Sequence, residues 1–205
     1  MMINQKVNKE NVYQLYDEII TWFDTHRDKR LVMERPYLDM IKNTIPSGSA
    51  ILDVGCGTGE PIAKFFIDSA YEVVGIDASE KMIALCKKRF PMARWLVADM
   101  RKLKLQQKFN LVIAWHSFFH LPHKDQHHTL KLLVSYLKPQ GLLVFTSGTE
   151  HSEVCSDNGG YNLYHASLSS AAYKNILRES DCKLILHNVE DPNCGDATVW
   201  IARKN

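Results

Sequence analysis

The chain has 205 residues, 45% hydrophobic and 23% charged, with 25 Lys+Arg against 23 Asp+Glu and a formal net charge of +2. That length suits one core with at most a small cap, and the near balance of charge leaves no electrostatic footprint for nucleic acid. Five scattered cysteines without a C-x-x-C pair argue against a disulfide framework or zinc knuckle, and the polar start MMINQKVNKENVYQ and the lack of a run of about 18 apolar residues argue against a signal peptide or membrane span, so a cytoplasmic protein is expected.

In chain order, Val12, Leu15, Ile19 and Phe23 recur at helical spacing. A second helix is expected from about Pro36, a favoured first-turn residue, through Tyr37, Met40 and Ile41 to the Ile45-Pro46-Ser47-Gly48 turn. From Ala50 strands and helices alternate. The expected elements are strand Ala50–Val54, a Gly-rich loop Gly55–Gly59, helix Pro61–Asp68, strand Glu72–Ile76 and a Ser79-capped helix through Arg89. Strands Arg94–Ala98 and Phe109–Trp115, helix His123–Leu137 and strand Leu142–Thr146 follow. Such alternation implies a parallel sheet with helices on both faces, and the continuous apolar runs LVIAW and LLVF fit strands buried on both sides. Residues 148–168 are polar, contain glycine and show no period, and are expected to form an irregular substrate-side loop. Helix Ser169–Ser180 and strands Lys183–Val189 and Thr198–Ala202 close the chain. The expected organisation is a helical segment, 1–49, covering the site of a domain spanning 50–205.

Open parallel sheets bind ligands beyond the carboxyl ends of their strands. Three acids stand at such ends: Asp53, Asp77 and Asp99. Asp53-Val-Gly55-Cys56-Gly57-Thr58-Gly59 combines close backbone approach with an acid that would repel a pyrophosphate and suit a cationic ligand. S-adenosylmethionine (SAM) carries a sulfonium and an ammonium and fits that description. Asp77 is placed to accept both hydroxyls of a ribose. Asp99 can accept from an adenine amino group, with Met82 and Met100 as apolar ring contacts.

The stretches ILDVGCGTG, VVGIDAS, WLVADM, FNLVIAWHSFFHL and LKPQGLLVF resemble, in order and spacing, the successive motifs of class I SAM-dependent methyltransferases. The resemblance covers roughly Ile51–Thr146. It implies a Rossmann-like, doubly wound, seven-stranded sheet in a three-layer α/β/α arrangement with an antiparallel last strand, strands six and seven coming from the tail. It also implies SAM as cofactor, with S-adenosylhomocysteine as product. Asp53, Gly55, Cys56, Gly57, Thr58 and Gly59 would face the methionine part, Asp77 and Ala78 the ribose, and Met82, Ala98, Asp99 and Met100 the adenine. Trp115 would line the pocket near the sulfur, and Trp22 or Tyr16, from an aromatic-rich N-terminal helix, would cover the cofactor. FTSG, LYHASL and TVW-x-A-R further resemble a narrower bacterial group in which an acid often follows the Trp at the end of the fourth strand; this chain has His116 there.

Methyl transfer from a sulfonium needs alignment and exclusion of water, with a base only for weakly acidic acceptors. His116 is the first candidate base, on position and on the ordinary imidazole pKa. His165, in the tail, and His120, in the Phe119-His120-Leu121 stretch, are the others, with a structural role as the alternative for His120. His123, His127 and His128 read as a solvated helix face, so no metal is expected. The motifs of base-amine, protein-arginine and metal-dependent catechol methyltransferases are absent, which leaves an oxygen or nitrogen of a small molecule as acceptor. A SAM-binding regulator without catalysis and an NAD-dependent dehydrogenase are the rival readings; neither oligomeric state nor acceptor is legible.

Overall fold

A computed structural model describes residues 8–205; residues 1–7, the beginning of the polar N-terminal stretch, lie outside it. In chain order the elements are α1 (Val12–His26), α2 (Arg35–Thr44), β1 (Ala50–Val54), α3 (Ile62–Asp68), β2 (Glu72–Asp77), α4 (Glu80–Arg89), β3 (Arg94–Val97) and β4 (Phe109–Ala114). Then come α5 (His123–Ser135), β5 (Leu137–Ser147), β6 (Ser152–Asn158), β7 (Tyr161–Ser167), α6 (Ser170–Glu179), β8 (Cys182–Asp191) and β9 (Ala197–Lys204). Local chemistry sets several boundaries. The Ser79 hydroxyl accepts from the Met82 amide at the start of α4, Ser169 does the same for Ala172 at α6, and Pro36 occupies the first turn of α2.

Seven strands form one sheet in the order β3-β2-β1-β4-β5-β9-β8. The first five pair in parallel, and β9 runs antiparallel to both β5 and β8. Side chains alternate across the sheet and feed two cores. Ile51, Leu111, Ile113, Val144 and Val199 bury against α2, α3 and α4 through Leu38, Ile41, Phe66 and Ile83. Leu52, Val54, Val112, Phe145 and Trp200 bury on the other face against α5 and α6 through Leu130, Leu133, Tyr173 and Ile176. The result is the three-layer α/β/α arrangement expected from the sequence.

The tail departs from expectation. Residues 148–168 are no irregular loop: β6 and β7 pair from Ser152↔Ser167 to Asn158↔Tyr161 as a separate two-stranded hairpin. Its turn is Gly159-Gly160, both at positive φ, the geometry that closes tight hairpins. The alternation is blurred because Leu163 and its neighbour Tyr164 are both buried, together with Ala166, against Val12, Leu15 and Tyr16 of α1. β5 also starts earlier than expected, at Leu137, because Leu137 pairs with Phe109 ahead of a register shift.

Candidate active site

The strand order reverses between β1 and β4, and the loops after these two strands open onto a common cleft. Its volume is about 280 Å³, at the low end for small-molecule sites. Gly55 begins the floor at φ +70°, and a Cβ there would lie 2.3 Å from Ser117 Cβ. Ser117 in turn donates to the Val54 carbonyl at 2.6 Å, which locks the β4 loop onto the β1 loop. The amides of Gly55 and Cys56 donate to the Ile76 carbonyl at 2.8 and 3.0 Å, turning the glycine loop toward β2.

All three strand-end acids line this cleft. Asp53 is 3% exposed, and its Oδ2 has no hydrogen-bond partner among the described residues. Burial, with the Asp77 charge as a second cause, raises its pKa to about 7. Asp77 accepts from the Gly57 amide at 3.0 Å and from the Ser79 amide at 2.9 Å. Burial raises its pKa too, against the opposing pull of those amides. Asp99 is spent differently. Its two oxygens receive the Arg101 Nε, Nη2 and amide at 2.7–3.0 Å; burial pushes its pKa up, but the Arg101 guanidinium outweighs that and holds it low. With its acceptor sites taken by Arg101, Asp99 has little left for a ring amino group, and Ala98, Met82 and Met100 supply apolar wall on that side.

Gly55, Cys56, Gly57, Thr58, Ala78 and Trp115 also line the cleft, whereas Gly59 does not: it lies against Phe90 and Trp95. The Cys56 side chain is in the core, so only its backbone serves the floor. Trp22 is a correction. Its indole sits at the hairpin turn, where a Cβ on Gly159 would come within 2.3 Å of it, and it stacks on His26. Tyr16 and Phe23, in edge contact at 5.4 Å, face the cleft instead. Residues seven apart share a helix face, and Trp22, one residue from Phe23, is turned by about 100°.

The three histidines come together around Phe119. Ring centroids are 5.9 Å apart for His116–Phe119, 4.9 Å for Phe119–His165 and 4.8 Å for His120–His165. His120 is fully committed: Nδ1 lies 2.9 Å from the Tyr164 carbonyl and Nε2 2.9 Å from the Tyr16 hydroxyl. A carbonyl only accepts, so Nδ1 carries the proton and Nε2 accepts from Tyr16. Burial, with His165 next, lowers the His120 pKa to about 3, so His120 is a neutral structural bridge and no proton acceptor, correcting its candidacy as a base. His116 sits at φ +50°, an uncommon conformation held by its amide bond to Thr146 Oγ1 at 2.9 Å. Burial, then the charges of Arg27 and His165, lower its pKa to about 4, well under the ordinary value on which its candidacy rested. His165 is also lowered by burial, and its Nε2 is buried without a partner.

The charged rim escaped the sequence reading. Arg27 lines the cleft, and its ion pair with Glu34 is a loose 3.8 Å. Glu60 is held by Arg89 at 3.2 Å and Glu10 by Lys124 at 2.7 Å.

A family profile described as "Methyltransferase domain" matches residues 51–141, the stretch that builds the floor and both flanking loops. Residues 51–141 thus match a methyltransferase domain, and the sheet that carries them has the fold of the class I SAM-dependent methyltransferase superfamily. The chain is similar to a malonyl-[acyl-carrier protein] O-methyltransferase from Priestia megaterium, 26% identical over 82% of this chain and 59% of the relative. It is also similar to a trans-aconitate 2-methyltransferase from Yersinia pestis, 34% identical over 58% of this chain and 46% of the relative. The chain thus spans less than two thirds of either relative. Magnesium protoporphyrin IX methyltransferase from Synechocystis, solved with SAM bound, shares the superfamily fold at a TM-score of 0.72 and 15% identity, over 98% of this chain and 100% of that one.

Proposed function

We propose that the protein is an enzyme that transfers a methyl group from SAM to an oxygen or nitrogen of a small molecule. One observation carries this reading: a buried carboxylate, Asp53, lines the cleft with an unpartnered oxygen near a second, half-buried acid, Asp77. An uncompensated buried charge is costly, so the site fits a ligand that brings positive charge. Asp53, beside the glycine loop, opposes a pyrophosphate there, which counts against a nicotinamide cofactor. When bound, SAM supplies a methyl group on a positive sulfur, and the sulfur keeps the electron pair of the bond that breaks.

The residues present fit a zwitterionic nucleoside. Asp53 would take the ammonium. Arg27 and the Thr58 hydroxyl, which is buried without a partner, would take the carboxylate. Asp77 is already anchored by two backbone amides and would present its remaining lone pairs to ribose hydroxyls. Tyr16 and Phe23 of α1 would cover the nucleoside and keep water out. His116 and His165 stand at the other end, where an acceptor would approach. Five free thiols agree with a reducing cytoplasmic setting, and nothing in the charge balance asks for nucleic acid.

Titration with S-adenosylhomocysteine tests the reading. Micromolar affinity is expected, and saturation at a hundred times Kd should stabilise the fold by about 2.7 kcal/mol. Absence of binding at millimolar concentration would overturn it. Transfer of label from SAM to a small-molecule fraction would separate an enzyme from a regulator.

A further inference from the structure

The acceptor end of the cleft carries its own recognition chemistry. Trp115, His116, Phe119 and His165 form a run of flat rings, with successive centroids 5.7, 5.9 and 4.9 Å apart. His165 Nε2 is buried and unpartnered, and the His116 ring nitrogens make no hydrogen bond to another described residue. Both imidazoles are held neutral by burial, so each can offer a lone pair and neither offers a fixed charge. His120, whose nitrogens are both used, is the bridge behind them. The rim carboxylates that line the cleft, Glu60 and Glu10, are paired with Arg89 and Lys124, so an ammonium finds no free counter-charge on the rim. Arg27, whose charge reaches His116, would be taken by the cofactor carboxylate in the reading above, which leaves no second cation for an anionic acceptor.

We propose that His116, Phe119 and His165 form an acceptor subsite for an uncharged, flat, unsaturated ring bearing a weakly acidic hydroxyl, which donates its hydrogen bond to an imidazole nitrogen. This rests on the methyltransferase reading above and adds the substrate class. The ring stacks along the aromatic run, and burial of that face provides affinity. The hydroxyl satisfies the orphaned His165 Nε2 or the open His116 nitrogen. As the hydroxyl oxygen is methylated, its proton passes to that imidazole nitrogen, and the low basicity of the buried ring returns the proton to solvent. A carboxylate would have to be buried without a cation, and an ammonium without an anion.

The test uses the whole protein saturated with S-adenosylhomocysteine, with three single-ring probes: 4-nitrophenol, benzoate and benzylamine. Binding of S-adenosylhomocysteine is measured first, and its failure would sink the underlying reading separately. Given that binding, 4-nitrophenol should bind more tightly than the other two probes. At a pH where both its forms are present, the phenolate absorbance should fall on binding, because the subsite takes the protonated form. His165→Ala should weaken 4-nitrophenol about fivefold, the worth of one ordinary hydrogen bond, while His165→Gln, which keeps an acceptor, should restore part of it. Both variants should keep wild-type affinity for S-adenosylhomocysteine, which shows that the cleft is folded. Tighter binding of benzoate or benzylamine, capture of the phenolate, or an unchanged 4-nitrophenol affinity in His165→Ala and His116→Ala would overturn the proposal.

Discussion

Asp53→Asn removes one charge and almost no volume, and its effect can be worked from the structure. The folded protein holds the Asp53 carboxyl at about 7, against the ordinary 3.8. A folded-state pKa raised above the unfolded one means that the folded chain binds the extra proton, so stability falls as pH rises between the two values. Over roughly three pH units at about 1.4 kcal/mol each, ionised Asp53 costs the fold on the order of 4 kcal/mol at pH 8. The asparagine is neutral throughout but leaves a buried amide to be satisfied, at about 1–3 kcal/mol. The net expectation at pH 8 is a gain of about 1–3 kcal/mol, or roughly 2–10 °C in Tm for a chain of this size. At pH 4, where the wild-type carboxyl is protonated in the folded state, the gain should vanish and turn into a small loss. Ligand binding should move the other way. S-adenosylhomocysteine needs the carboxylate, so wild-type affinity should fall toward tenfold for each pH unit below 7 as Asp53 protonates, and the variant should bind weakly at every pH. Thermal unfolding and calorimetric titration from pH 4 to 8 measure both. A variant that is less stable at pH 8, or that binds S-adenosylhomocysteine like the wild type, would refute the assignment of Asp53 as an acid waiting for a cation.

Three further substitutions probe separate parts of the cleft. Arg27→Met should weaken S-adenosylhomocysteine about 10–150-fold, the range for one charged hydrogen-bond partner, while 5′-methylthioadenosine, which lacks the amino-acid end, should bind as before; calorimetry with the two ligands decides. Gly55→Ala puts a Cβ 2.3 Å from Ser117 Cβ at a φ of +70° and should cost about 2–5 kcal/mol in urea unfolding from strain and overpacking together. Tyr16→Phe strips the buried His120 Nε2 of its donor and should cost about 1–3 kcal/mol in thermal unfolding.

The sheet and the strand-end acids that line the cleft were legible because they depend on local pattern. Runs such as LVIAW announce strands, and a strand ending in Asp53 or Asp77 places its acid at the carboxyl edge whatever the rest of the chain does. The acceptor half depends on relations the sequence does not write down. Trp22 and Phe23 are adjacent and equally aromatic, and only the rotation of α1 decides which faces the cleft and which meets Gly159. The hairpin 152–167 was hidden because Leu163 and Tyr164 are both buried, which breaks the period of two, although Gly159-Gly160 marked its turn. Arg27 could not be told from 24 other basic residues, since 25 Lys+Arg are present. The low basicity of His116 and His120 comes from burial, which no spacing reveals.

The two halves of the cleft are also held by different forces. The floor is fixed to the sheet by backbone bonds and flanked by two large apolar cores. α1, which lines the cleft through Tyr16 and Phe23, is held to the domain by the buried Ile19 and by polar latches: Asp17 accepts from the Ser79 hydroxyl at 2.6 Å and Lys81 reaches the Asp17 carbonyl at 2.7 Å. Arg89 joins Asp24 at 2.6 Å, and Tyr16 joins His120 at 2.9 Å. The apolar contact between α1 and the hairpin is a small cluster around Val12, Leu163, Tyr164 and Ala166. Both kinds of contact lie between α1 and the domain, and none of them is a backbone bond of the sheet. The Tyr16–His120 bond is the one that touches both ligand ends. In the proposed assignment Tyr16 would lie over the cofactor, and His120, in ring contact with His165, would brace the acceptor side. On the proposed assignment, the position of α1 over the nucleoside would therefore also set the wall against which the acceptor ring fits.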